Sequence, residues 1–290
     1  MKPPATKPLP RPLNDNQRAA LVTLLGDDDP AVFAAVRQRI LDEGPAALEW
    51  LGPLARGANP VVRRHARRLV RVFGRQEADI AMLHFCLTHG DELPLEEGVW
   101  LLARTQHPEF SEAGCRALLD DWAGELREPL ARAGRGDGVI AVLNELLFRR
   151  LRFTGDPRHH EDPDNSYFNR VLDRRRGNPI SLCTVALLVG RRAGLPLVGV
   201  GMPGHFICRY QTPAHSFYVD FFHEGRVLRR ADCVQFLQQT GREFRDDFLA
   251  PVNGRRMLLR MCANLERIHA GRGEQEASER CRRYLVALGR

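Results

Sequence analysis

The run from Asn165 to Phe222 limits the possible folds more than any other part of the chain. Asn178 before Pro179 is a helix start: a side chain that accepts from orphan amides, then a ring with φ preset for the first turn. From Ile180 to Val189 the residues are apolar nearly all round, which predicts a buried helix. Gly194 ends it and Pro196 prevents a restart. Leu197 to Gly201 and Gly204 to Tyr210 read as strands, Gln211 to Ala214 as a turn, and Phe217 to Phe222 as the returning strand.

A hairpin closed by that turn sets His205 opposite Asp220. Directly opposed side chains on one face are close neighbours. A carboxylate placed there orients an imidazole and stabilises its charged form. A buried structural histidine with a satisfied partner has the same spacing.

Several motifs then occur in a telling order: Asn165-Ser166, the run Arg174-Arg-Arg-Gly-Asn-Pro-Ile-Ser-Leu182, Gly194-Leu-Pro196, Pro203-Gly-His-Phe206 and Val219-Asp-Phe221. Together they resemble the transglutaminase-like, papain-related superfamily, and within it the SirB branch of bacterial proteins, a domain also found in an F-box protein. The resemblance covers roughly residues 138 to 288. It implies that His205 and Asp220 stand where the superfamily places its catalytic His and Asp. Active members open the helix with Gly-x-Cys, whose Cys is the nucleophile; here the triplet is Gly177-Asn178-Pro179. The positive end of a helix favours a thiolate, and Pro179 has no thiol to offer. The SirB branch is similar in that loss, which implies a domain that is non-catalytic or differently catalytic.

Two substitutes lie near. Ser181 is about 200° round the helix from Pro179 and fits a capping role. Cys183 is about 400° round and ~6 Å deeper, on the face of Pro179. It is the candidate nucleophile of a Cys183–His205–Asp220 set, against the plain reading of a core cysteine.

At 290 residues the chain is long enough for about two domains. Residues 1–13 are Pro-rich and read as a disordered tail. Residues 14–132 read as all-helical, with helices expected to break between Phe73 and Glu77. Asp29-Pro-Ala-Val and Asn59-Pro-Val-Val begin helices about 30 residues apart, which resembles HEAT-type repeats. The glycine-rich stretch Ala131–Gly138 is the expected domain boundary. Residues 138–250 form the expected α+β, transglutaminase-like domain with a small antiparallel sheet. Residues 251–290 form a helical hairpin around Gly271-Arg-Gly273 that resembles one tetratricopeptide-like unit and needs the core to dock on.

The net charge is +7, and Lys2 and Lys7 are the only lysines among 43 basic residues. Arg63, Arg64, Arg67, Arg68, Arg71 and Arg75 make a stripe on one helix, but no aromatic residues interleave with it, so a nucleic-acid partner is not expected. Seven scattered cysteines without a Cys-x-x-Cys fit reduced thiols. His159, His160, Glu161, Asp162 and Asp164 sit in a polar loop, and His205 and Cys208 are three apart on a strand, so neither group reads as a metal site. No cofactor is expected. There is no apolar run of 18 residues and no apolar signal core at the start. These features lead to the expectation of a cytoplasmic protein that binds a protein partner.

Overall fold

The computed structural model describes residues 13–134 and 136–290. The expected Pro-rich tail, apart from Leu13, lies outside the described residues. The chain divides after Ala78 into two compact units: the described residues up to Ala78 with His107–Glu109, and Asp79–Gln106 with Phe110–Arg290.

The first unit contains α1 (Asp15–Leu24), α2 (Pro30–Glu43), α3 (Leu48–Leu54) and the first part of α4 (Pro60–Thr88). Asn14 and Gln17 cap α1 reciprocally, and Asp29 caps α2 ahead of Pro30. Phe33, Ile40, Leu51, Leu69 and Phe73 fill the core. The expected break after Phe73 is absent, and α4 runs on to Thr88. A lone glycine costs a helix about 1 kcal/mol relative to alanine without removing a hydrogen bond. Gly74 serves packing instead, since a Cβ there would meet Pro108 at 2.8 Å. The arginine stripe braces this unit. Arg63 and Arg67 donate to the carbonyls of Gly57 and Ala55, Arg64 and Arg71 pair with Asp28 and Glu109, and Arg68 lies over Phe33.

The second unit begins with the end of α4, followed by α5 (Leu95–Arg104), α6 (Glu112–Arg132) and α7 (Asp137–Asn144). A two-residue parallel pair, β1 (Thr154–Gly155) with β2 (Arg176–Gly177), flanks α8 (Phe168–Arg174). Next come α9 (Pro179–Arg192), β3 (Leu197–Val200), β4 (Ile207–Gln211), β5 (Ser216–Asp220), β6 (Arg226–Leu228) and α10 (Arg230–Gln239). The chain closes with β7 (Pro251–Val252), α11 (Gly254–Gly271) and α12 (Gln275–Leu288). β3 to β7 form one antiparallel sheet in the order β6-β5-β4-β3-β7. Alternation sorts its side chains. Cys208, Tyr210 and Val219 join the large core with α9, whereas Val200 and Ile207 join Cys233 and Leu237 of α10 in a smaller one.

The glycine-rich stretch expected to separate domains lies inside this unit. The helices before it share the core with those after it: Trp100 of α5 packs on Phe168 of α8 at 5.0 Å between ring centroids, and Trp122 of α6 on Phe153 at 5.8 Å. Glu96 of α5 accepts from Arg192 of α9 at 2.7 Å and from Arg116 of α6 at 2.6 Å, and Arg192 reaches Asp120 at 2.6 Å. Burial pushes the Glu96 carboxyl up, but Arg192 and then Arg116 hold it below its ordinary value. The terminal helices dock on the same body. A Cβ on Gly98 would come within 2.9 Å of Leu258, and the Tyr284 hydroxyl donates to Asp79 at 2.6 Å.

The hairpin register differs from expectation by two residues. Gln211 pairs with Ser216 and Cys208 with Val219, so the loop is Thr212–His215 rather than Gln211–Ala214. The Thr212 hydroxyl and carbonyl-paired amide tie to His215 and close the loop one step later. A slip of two preserves which face each side chain occupies, whereas a slip of one would reverse it.

Candidate functional site

The helix start at Asn178 is held by several side-chain hydrogen bonds. Asn178 Oδ1 accepts from the Ser181 amide at 3.0 Å, and its Nδ2 donates to Ser166 Oγ at 2.9 Å. The Ser181 hydroxyl donates to the carbonyls of Asn165 at 2.8 Å and Asn178 at 3.0 Å. Gly177 is required by closeness: a Cβ there would lie 2.4 Å from Ser181 Oγ. Asn178, Pro179 and Ser181 thus join α9 to the loop before α8, with Pro179 in the first turn.

Cys183, one turn further in, has no exposed surface. Its sulfur donates to the Phe206 carbonyl at 3.5 Å. Burial, then Cys208, then the charge of Asp220 push its thiol well above the ordinary value. All seven cysteines are free and buried.

His205 and Asp220 come together at the end of the sheet. Because of the slipped register, His205 lies before β4 and reaches Asp220 diagonally rather than directly across. Asp220 Oδ2 accepts from His205 Nε2 at 2.8 Å, and both residues are buried. The His205 ring packs between Phe222, at 6.1 Å, and Phe236 of α10, at 5.3 Å. Cys183 belongs to the core on the α9 side of the sheet, and Phe236 to the core on the α10 side.

A third residue, not singled out from the sequence, completes this cluster. His223 Nδ1 also donates to Asp220 Oδ2, at 2.8 Å, while its side chain stays 60% exposed. Asp220 Oδ1 is occupied separately by the amides of Phe222 and His223, at 3.0 and 3.3 Å, because Asp220 caps the single 3₁₀ turn Phe221–His223. Burial pushes the Asp220 carboxyl up, but His205 and then His223 hold it below its ordinary value. The signal in the sequence is the Asp-Phe-Phe-His spacing: an aspartate that caps a turn brings the residue three on back beside its own carboxylate.

The loop with His159 and His160 is bound up internally. Asp156 accepts from the His159 amide and ring, and Asp162 and Asp164 pair with Arg174 and Arg170. Gly155 presses this segment against the cluster: a Cβ there would lie 2.7 Å from the Phe222 ring.

Among the described residues no helix is long and apolar enough to cross a membrane. Residues 113–263 match the model of the transglutaminase-like superfamily. That match begins within α6, upstream of the glycine-rich stretch, in keeping with the shared core. A UPF0162 protein of Xylella fastidiosa (strain 9a5c) is 31% identical over 68% of this chain and 73% of its own length. A UPF0162 protein of Pseudomonas aeruginosa is 28% identical over 70% of this chain and 75% of its own. F-box only protein 21 of Mus musculus is 31% identical over 44% of this chain and 21% of its own length. No solved structure matches. On a buried helix, an antiparallel sheet and this span of similarity, the chain belongs to the transglutaminase-like superfamily, alongside the UPF0162 proteins.

Proposed function

We propose that this protein is a cytoplasmic interaction or regulatory protein on a transglutaminase-like fold that lacks the thiol nucleophile, in keeping with its resemblance to the SirB branch. The observation that carries this reading is the helix start. Pro179 occupies the first turn where a reactive cysteine would gain from the helix dipole, and Cys183 is sealed, donating to a carbonyl and kept protonated by burial. The helical first unit, read as HEAT-like, offers a surface of the kind that binds other proteins.

A second reading, amide hydrolysis or acyl transfer through Cys183, His205 and Asp220, draws on the intact His205–Asp220 bond. The test is turnover of glutamine-containing peptides, with and without an amine acceptor, by the intact protein and by Cys183→Ala. Equal rates at background support the first reading. Turnover above background that disappears in Cys183→Ala establishes the second.

A further inference from the structure

We infer that His205, Asp220 and His223 form a binding site for a zinc-class divalent cation. Their ligand atoms, His205 Nε2, Asp220 Oδ2 and His223 Nδ1, all lie within 4.8 Å of one another. Two imidazole nitrogens and one carboxylate oxygen make a donor set that suits first-row transition ions and leaves coordination positions open.

Three features of the cluster fit coordination. First, the two oxygens of Asp220 are divided in their duties. Oδ1 is held by the Phe222 and His223 amides, so Oδ2 is fixed in place and faces both imidazoles. A carboxylate ligand steadied through its other oxygen is the usual arrangement around bound metals. Second, the two rings converge on one oxygen from separate segments, one before β4 and one in the turn after β5. A metal would take the place of the protons now shared with Oδ2. Ligand atoms around a tetrahedral ion at 2.0–2.2 Å lie about 3.3 Å apart, so each 2.8 Å contact opens by about half an ångström while the two nitrogens, within 4.8 Å of one another, adjust to the same spacing. His223, exposed on its outer side, has room for that movement, and solvent can reach the open positions past it. Third, Phe222 and Phe236 pack on the His205 ring and restrict it to the observed orientation.

Binding requires no catalysis, so this site goes beyond the function proposed above. The buried thiols offer a metal no easy competing set. The described alternative is the loop with His159 and His160, both exposed.

The experiment is titration of the metal-free full-length protein with Co2+ alone, read by its visible absorption, followed by displacement with Zn2+ or Mg2+. Groups that merely orient a metal ligand are worth 10–100-fold in affinity, so losing a ligand should cost about 100-fold or more. The expected result is one equivalent of Co2+, displaced by Zn2+ and not by Mg2+, with affinity reduced by that factor in His223→Ala and unchanged in His160→Ala. Because His223 is exposed, its variant should fold, which circular dichroism checks. Failure of the intact protein to bind, equal binding by His223→Ala, or loss of binding in His160→Ala would each overturn the assignment.

Discussion

His205 and His269 are both buried histidines bonded to a carboxylate, and they are built to different ends. His269, near the end of α11, has no exposed surface; its Nδ1 meets Glu274 at 2.5 Å and its Nε2 meets the Tyr167 hydroxyl at 3.0 Å. Every polar atom of that ring has a protein partner, and the trio ties α11 to the segment before α8. His205 instead shares its carboxylate with a second, exposed imidazole, and its ring is held by apolar neighbours. A His–acid pair by itself therefore says little about function. What separates the two clusters is where they open to solvent: at a second imidazole, His223, in one and at the carboxylate, Glu274, in the other.

The largest effect that sharpens this contrast is expected from Asp220→Ala. It strips His205 and His223 of their acceptor and uncaps two partly buried amides. Urea denaturation should show a loss of about 3–5 kcal/mol. Tyr167→Phe tests the His269 cluster. It leaves His269 Nε2 buried without a partner and should cost about 1–3 kcal/mol by the same measurement. Gly155→Ala drives a methyl into the Phe222 ring and should cost about 1–3 kcal/mol as overpacking.

Acid should separate the clusters along the pH axis. Burial, helped by Arg280 and Arg272, outweighs Glu274 and holds His269 below its ordinary value of 6.5. The unfolded chain then binds the extra proton, so this contribution is complete above about pH 6.5 and declines as pH falls below it. Asp220 is also lowered, from 3.8, so its contribution is complete above that value and is lost only as pH falls through its depressed folded value. Thermal midpoints measured from pH 8 to pH 3 should decline in both windows. His269→Gln should flatten the upper one and Asp220→Asn the lower. The smallest effect is expected from His223→Ala, about 0.5 kcal/mol or less, since its ring is mostly in solvent. A large loss there would erase the distinction between the His205 cluster, with its exposed second imidazole, and the His269 cluster.

Much of this arrangement was legible in the residues. The cap at Asn178, the buried helix behind Pro179 and the meeting of His205 with Asp220 follow from side-chain chemistry within a few positions. The pair survived a wrong register because a two-residue slip keeps the face and leaves a diagonal neighbour within reach. The position of the unit boundary was not legible, because it depends on Trp100, Trp122 and Glu96 reaching partners far along the chain. The break expected after Phe73 failed for a like reason: Gly74 is there for the contact with Pro108. His223 was missed because its role comes from a turn that Asp220 itself creates.

The most direct test of the proposal that the fold carries no reactive thiol is iodoacetamide labelling of the native protein, with modified peptides quantified by mass spectrometry between pH 7 and pH 9. Cys183 should stay unmodified until denaturant is added, because its thiol is sealed and hard to ionise. Rapid, pH-dependent alkylation of Cys183 in the folded protein, slowed by His205→Ala, would contradict the account.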